Sequence, residues 1–505
     1  MIGSARSEAK KEREKKEKRK RKDNAETQSA QSLIEKEDGR ARAESVFASG
    51  TGIQICSLRT KQTADMTTSA DKKPSMTAFD AHHPPSKQII ENCVHCGFCL
   101  PVCPTYVLWN EEMDSPRGRI YLMKLASEGN ASMNPQWVSH FDSCLGCMAC
   151  MTACPSGVDY GKLIEATRAQ IERHHPRSLG EKLHRRFLFS VFARPDRLRL
   201  LRWPLLAYQK SGLQSLVRGI GLLKLFPKRL QSMEALMPKL SRNESVLEVT
   251  PAQGAKRKRV GLLLGCVQRE FFPQVNAATA RVLAAEGCEV VAPKEQPCCG
   301  ALMVHAGEEE GALSLAKKTI DVFENANVEI IVTNAAGCGS NVKEYGHLLR
   351  DDPNYAGRAK AFAAKCKDIT EVLSELPPRA TRNPLKLRVA FHDSCHLQHA
   401  QGVRSEPRQL LANIPGLELA EIPESAICCG SAGIYNLVQP DAANALGDRK
   451  AHLIVPLNAQ VVATGNPGCL LQLQSSLARQ GQTTPVVHTI QILDASIRGE
   501  PLRLG

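Results

Sequence analysis

The chain has 505 residues, 19 of them cysteine, with 42% hydrophobic and 5% aromatic residues and a formal net charge of +14. That length holds two or three domains with substantial cores, and no run of 18 or more apolar residues marks a membrane-crossing helix. The cysteines sit in short clusters without an apolar signal segment ahead of them, which argues against a small secreted disulfide scaffold and for metal ligation.

Residues 1–80 read as polar and structureless. Residues 1–75 carry 18 Lys/Arg and 12 Asp/Glu, a net +6, which leaves +8 for the rest. The run 10-KKEREKKEKRKRK-22 holds ten basic, three acidic and no apolar residues, so it has no face to bury. A nucleic-acid or anionic-lipid tail is one reading. The favoured one is an extension without function, or one not translated at all. Met76 opens 76-MTAFDAHHPPSKQIIENC, a more ordinary start seventeen residues before the first cluster. Cys56 falls in the doubtful segment, and no nucleic-acid partner is inferred from the net charge.

Residues 85–175 hold two copies of one pattern, 93-CVHCGFCLPVCP-104 and 144-CLGCMACMTACP-155. C-x2-C-x2-C-x3-C-P is the spacing of a two-cluster ferredoxin, in which the fourth cysteine of each run serves the other cluster. Cys93, Cys96, Cys99 and Cys154 are therefore expected to hold one [4Fe–4S] cluster. Cys144, Cys147, Cys150 and Cys103 are expected to hold the second. Zinc is the alternative metal, although two C-x2-C-x2-C triads suit a cubane better than tetrahedral C-x2-C pairs do. Pro104 and Pro155 are read as turning the chain away after the fourth cysteine. In 115-SPRGR-119, Arg117 and Arg119 are given a structural role between the clusters, with cluster-charge compensation or partner docking as alternatives. A helix is predicted over 158–175 from Leu163, Ile164, Ala166 and Ile171, stopping at Pro176.

Residues 180–256 form a linker. Within it, 197-RLRLLRWPLLAYQKSGLQSLVRGIGLLKLFPKRL-230 has eight basic and no acidic residues, and Pro204 is expected to break it in two. Such a stretch lies on an anionic membrane or forms a helical hairpin against a partner or the next domain. The second of these is favoured. Residues 241–256 are polar and close the linker.

From residue 257 the pattern turns α/β. Strands are predicted at 260–265, 289–293 and 328–334, with a helix at 273–287, so a parallel sheet flanked by helices follows. This region repeats itself. Cys266, Cys298–Cys299 and Cys338 recur as Cys395, Cys428–Cys429 and Cys469, at offsets of 129, 130 and 131. The contexts 297-PCCGA and 427-ICCGS match, as do 332-VTNAAGC and 463-ATGNPGC. A duplicated domain is expected over 257–375 and 386–497. Residues at the carboxyl ends of parallel strands converge on one sheet edge, and a CCG turn has a glycine free to take unusual angles. The four thiols of each repeat are thus expected to gather, which suits iron–sulfur, zinc or copper(I). Cys288 and Cys366 fall outside the register and read as core. His392, His396 and His399 surround Cys395; structural hydrogen bonding is favoured for them over proton relay or metal ligation, and His305 is a weaker candidate.

Two close cubanes move single electrons and provide no acid–base chemistry. No G-x-G-x-x-G after a strand, P-loop or nucleophile elbow is visible, so the electrons come from another subunit and no residue of this chain is read as catalytic. The segments 102-VCPTYVLWNEEMDSPRGRIYLMK-124, 141-FDSCLGCMACMTACPSGVDYGKLIE-165, 331-IVTNAAGCGSNVKEYGHLL-349 and 396-HLQHAQ-401, with the two CCG turns, resemble the iron–sulfur subunit of bacterial glycolate oxidase over about residues 85–500. The resemblance implies an α+β ferredoxin-type, mostly helical two-cluster domain followed by duplicated α/β CCG domains. It implies FAD-containing partner subunits that oxidise glycolate to glyoxylate, with electrons passing through this chain toward a quinone-type acceptor. The setting it implies is cytoplasmic or peripheral on the inner face of the plasma membrane. Lactate or glycerol-3-phosphate dehydrogenase and a heterodisulfide-reductase-like enzyme are the alternatives within the wider CCG family. In some of those relatives each repeat binds a non-cubane cluster through a C-x2-C at the third position. Here 337-GCGS-340 and 468-GCLL-471 have one cysteine each, which leaves a four-thiol iron–sulfur or zinc centre, or none, for each CCG repeat.

Overall fold

Residues 78–240 and 244–503 are described by the computed structural model. The expectations for the basic extension, Cys56 and the Met76 start lie outside the described residues. Residues 78–240 contain helices and loops but no strand, so this part is all-helical rather than α+β. Its helices start where sequence chemistry allows. Ser115 accepts from the Gly118 amide ahead of Pro116–Ser127, and Asn134 caps Pro135–Asp142. Asp159 caps Tyr160–His174, which agrees with the helix predicted over 158–175. Pro104 opens helix Pro104–Trp109 instead of turning the chain away, because the first helical position needs no amide donor. Pro155 does sit in a turn. Trp137, Phe141, Leu163, Ile164 and Ile171 form the core here, packed with Cys144 and Cys150.

The linker is helical over Leu179–Phe192, Pro195–Lys210, Leu213–Gly219 and Lys228–Ala235. Pro204 lies inside Pro195–Lys210 and does not break it. The proline removes one bond to the Leu200 carbonyl, but both residues are exposed, so the lost bond is at the surface and not in the core. The chain turns at Gly212, whose φ is +79°. Ala193 and Leu198 are buried in the core of the first repeat, and the buried Arg202 guanidinium donates to the Glu270 carbonyl. These helices therefore pack on the next domain, while Leu200, Trp203, Leu216 and Leu225 stay exposed.

Two sheets follow. The first has strands β1 (Val249–Thr250), β2 (Lys258–Leu263), β3 (Cys288–Val291), β4 (Ile330–Thr333) and β5 (Cys366–Asp368) in the order β1-β3-β2-β4-β5. The second has β6 (Arg388–Phe391), β7 (Glu418–Glu421), β8 (Val461–Thr464) and β9 (Val486–His488) in the order β7-β6-β8-β9. Pairing is parallel throughout except for β1, which runs antiparallel to β3. The polar segment 241–256 thus contributes an edge strand, a feature its composition does not announce. With β1 set aside, the two sheets have the same strand order. They share one core as well: Val260, Leu262, Val275 and Leu283 pack with Val389, Phe391, Val461 and Ile492. Cys288 and Cys366 are buried within the repeats.

Candidate metal centres

The sixteen cysteines singled out above fall into four sets in space. Cys93, Cys96, Cys99 and Cys154 line one small cavity, which Cys150 also touches. Cys96 is exposed, flanked by exposed Val94 and Phe98. Burial pushes the Cys99 thiol up to about 11. Cys103, Cys144, Cys147 and Cys150 form the second set, all buried, with Cys103 and Cys144 acting electrostatically on both Cys147 and Cys150. Burial pushes Cys147 and Cys150 well above the usual thiol range. Cys144 is held below it, because Arg119 and Arg168 outweigh the opposing effect of burial.

The two runs share a backbone device. His95 and Gly97 in the first, and Gly146 and Met148 in the second, all have positive φ. A left-handed residue other than glycine costs about 1–2 kcal/mol, so the curl is held by its surroundings. It brings the Gly146 amide to 3.3 Å from the Cys144 sulfur. At Gly97, an added Cβ would come within 2.8 Å of Arg117. Arg117 pairs with Glu112 and donates to the His95 carbonyl at 3.1 Å.

Arg119 is the buried cation of this domain, 1% exposed. Its guanidinium donates to the His140 carbonyl, Ser143 and Thr105, and pairs with Asp114 at 3.3 Å. Burial opposes its charge, but Cys144, Tyr160 and Cys103 favour it, so it stays protonated. A [4Fe–4S] cluster suits this environment. It takes four soft thiolates, accepts N–H donors at sulfur, and carries negative charge that a buried guanidinium offsets.

The CCG thiols gather at the carboxyl ends of the parallel strands. In the first repeat, Cys266 lies 3.3 Å from Cys298, and Cys298 and Cys338 both act on the Cys299 thiol, all of them free cysteines. In the second, Cys395 lies 3.8 Å from Cys428, and Cys428 and Cys469 both act on the Cys429 thiol. Gly300 and Gly430 take φ of +86° and +91° to close the two CCG turns. The second set gains an imidazole: donor atoms of His392, Cys429 and Cys469 all lie within 4.8 Å of one another. Hydrogen bonding with Cys429, against burial and with help from His392, brings Cys469 down to about 5.

Cys147 of the helical domain packs in one cluster with Cys395 and Cys428 of the second repeat. The two sets are close enough for Cys428 to act on Cys147. Residues that sequence reasoning passed over hold this junction. Arg168 donates to the carbonyls of Cys144 and His305. The Gly307 Cα approaches so closely that a Cβ would lie 2.4 Å from the Arg168 carbonyl oxygen. Thr152 bonds His399 at 2.8 Å, and the other ring nitrogen of His399 reaches the Ala426 carbonyl at 3.1 Å. His399 is therefore a bridge between domains. His396 is buried with its ring 4.8 Å from that of His305, a contact without a local sequence signal, since the two residues belong to different repeats.

Family models match three parts of the chain: a 4Fe-4S dicluster domain over residues 89–158, the linker region of the glycolate oxidase iron–sulfur subunit over 180–237, and a cysteine-rich domain over 260–343 and again over 389–474. The double match mirrors the sequence repeat. The probable glycolate oxidase iron–sulfur subunit of Bacillus subtilis (strain 168) is 41% identical over 411 residues, 80% of this chain and 93% of that protein. The glycolate oxidase iron–sulfur subunit of Escherichia coli (strain K12) is 38% identical over 418 residues, 82% of this chain and 95% of that one. Lactate utilization protein A of Exiguobacterium sp. is 32% identical over 242 residues, 47% of this chain and 98% of that protein.

Proposed function

The chain belongs to the glycolate oxidase iron–sulfur subunit family, and from that premise we propose that it carries electrons from an FAD-containing partner subunit, which oxidises glycolate to glyoxylate, toward a membrane quinone. The observation that carries this reading is the spatial order of the thiol sets. The Cys93, Cys96, Cys99 and Cys154 set reaches the surface at Cys96, beside exposed Val94 and Phe98. The buried Cys103, Cys144, Cys147 and Cys150 set meets the second CCG repeat at Cys428. Two [4Fe–4S] clusters bound to the first two sets would supply one-electron transfer along that line.

The roles of the chain's own residues follow. The apolar rim at Val94 and Phe98 is where the flavin partner docks. Arg119 offsets negative charge at the second set, beside Cys144 and Cys103, and Arg168 fixes the helical domain against the first repeat. Each CCG set holds a further four-thiol centre, iron–sulfur or zinc, with His392 beside the second. The protein lies against the inner face of the plasma membrane, and among the described residues no helix is long and apolar enough to cross it.

Cys96→Ser or Cys147→Ser in the assembled complex is expected to abolish glycolate-dependent quinone reduction while the flavin partner still reduces an artificial dye. Retained quinone reduction sinks the relay. Iron and acid-labile sulfide content on anaerobically purified protein complements it. About eight irons per chain means that only the two ferredoxin-like sets carry clusters, and more means that the CCG sets carry them as well.

A further inference from the structure

A chamber of about 410 Å³ lies between the two repeats and the linker helices, inside the range of about 300–1,000 Å³ usual for small-molecule sites. Seven of the eight CCG thiols, all but Cys429, form part of its wall, and the centres proposed for them would take up that side of the space. The linker's share is mostly apolar, with Leu201, Leu205 and Leu230 in it, and its one carboxylate, Glu234, is paired with Arg218 at 2.8 Å. The leucines offer no metal donor, so this part of the chamber is not explained by the thiol centres.

Polar atoms in the wall lack partners among the described residues: both amide atoms of Gln268, the Ser431 hydroxyl and Nε2 of His396. Gln268 is 1% exposed and Ser431 2%. A buried polar group left unsatisfied costs about 1–3 kcal/mol. An apolar ring bearing carbonyl oxygens would accept from Nε2 of Gln268 and from the Ser431 hydroxyl and fill the space around them. Leu201 and Leu230 line the chamber and are also exposed, so they mark its mouth. In the same linker Leu200, Trp203 and Leu225 stand exposed, as does Arg197, while Arg199 and Lys228 are paired with Glu270 and Asp441. An apolar surface with cationic charge suits an anionic bilayer.

We infer that this chamber is the quinone site, with the headgroup held by Gln268 and Ser431 and the isoprenoid tail leaving between Leu201 and Leu230 into the membrane. The inference rests on the quinone reading above and adds where the acceptor binds and which residues hold it. The quinone takes up two electrons and two protons and leaves as the quinol. The electrons are the pair released when glycolate becomes glyoxylate. The protons come from water by way of Glu165 and His305, whose side chains meet at 3.2 Å and of which His305 lines the chamber.

The test uses the assembled complex. A photoreactive azido-ubiquinone should label peptides containing Leu205, Met233 or Gln268, and excess decylubiquinone should block the labelling. Gln268→Leu should raise the Kd for decylubiquinone about tenfold, the loss of one hydrogen bond to a buried group. Its melting temperature should hold or rise, because an orphaned amide is removed. Leu205→Trp, which fills the chamber from the linker side, should weaken binding further. Labelling elsewhere, or decylubiquinone affinity unchanged in both variants while wild type binds and reduces it, overturns the chamber assignment alone. Protection by oleate but not by decylubiquinone assigns the space to an acyl chain and overturns it too. A wild-type complex that reduces dye with glycolate but reduces no quinone sinks the acceptor reading and this inference together.

Discussion

The two CCG repeats have the same strand order, the same CCG turn and the same four thiols, yet they are placed in different company. The first packs against the linker helices through Ala193 and Leu198. The second presses Cys395 and Cys428 against Cys147 of the helical domain. Counted by the 129-residue offset of Cys266 and Cys395, the places of His392, His396 and His399 are held in the first repeat by Leu263, Val267 and Glu270. Duplication kept the scaffold that gathers thiols, and a few substitutions beside them set the repeats apart. Among the described residues, only the second brings an imidazole and two of its sulfurs within 4.8 Å of one another.

The largest test of that difference is activity. If electrons pass from the Cys147 set into the second repeat, Cys428→Ser should bring glycolate-dependent quinone reduction to background, whereas Cys298→Ser should leave a measurable rate. Both are to be assayed beside dye reduction by the flavin partner. Equal losses would erase the functional asymmetry. The next test is structural. Gly430→Ala would bring a Cβ within 2.4 Å of the Ala443 carbonyl oxygen, whereas at Gly300 the nearest atom, the Ala312 carbonyl oxygen, is 3.4 Å away. Both glycines are left-handed, which alone costs about 1–2 kcal/mol for alanine. Gly430→Ala should therefore lower the melting temperature more than Gly300→Ala does, and the reverse order would show that the second turn relaxes more easily than the first.

Loading of the two sets with metal should also separate with pH. Thiolates bind metal and thiols do not, so affinity falls as pH drops below the thiol pKa. Cys266 and its counterpart Cys395 are pushed up alike, by hydrogen bonding with the neighbouring thiol and by burial. The sets differ at Cys428, which hydrogen bonding with Cys395 and Cys429 holds low while its counterpart Cys298 is pushed up, and at Cys469, brought down to about 5 by hydrogen bonding with Cys429 and, against burial, by His392. If both repeats take metal, the second should keep it to lower pH during dialysis. His392→Leu, which copies the first repeat, should move the second set's midpoint upward. Metal content of each variant across the range from about pH 8 to pH 5 reads this out, and superimposed curves would remove His392 from the site.

Much of this arrangement was legible because cysteine spacing is a local signal. The runs from Cys93 and Cys144, and the register of Cys266 with Cys395, point to sets that the fold brings together. Strand ends were legible to within a few residues, since β2, β4 and their connections alternate clearly. What could not be read depends on contacts between distant segments. Pro204 reads as a breaker, but its exposure lets helix Pro195–Lys210 run through it. Val249–Thr250 becomes a strand only because the edge of β3 is free to pair with it. The Thr152–His399 bond spans 247 residues and the Arg168–His305 bond 137, and neither residue type announces its partner. The chamber is likewise invisible in sequence, because its wall is assembled from the linker and both repeats.

The smallest expected effect concerns the caps at the ends of β5 and β9. The two repeats start their next helix with a capping box, but one cap is a carboxyl and the other an imidazole. Asp368 accepts from the Thr370 amide at 2.8 Å, and burial pushes its carboxyl up to about 6. The folded state holds that proton more tightly than the unfolded chain does. Its contribution is whole below about pH 4 and is lost as pH rises through about 6. His488 accepts from the Ile490 amide at Nδ1 and donates from Nε2 to the Asn334 carbonyl at 2.8 Å, and burial pushes it down to about 4. The sign is opposite: its contribution is whole above about pH 6.5 and is lost as pH falls through about 4. Asp368→Asn keeps the acceptor and drops the charge, so it should stabilise the protein by about 1–3 kcal/mol at pH 7 and by nothing at pH 4. Thermal unfolding of the variant and the parent at both pH values decides it. A gain that is the same at both would mean that the Asp368 charge is already compensated in the fold, and that the two repeats tolerate pH alike.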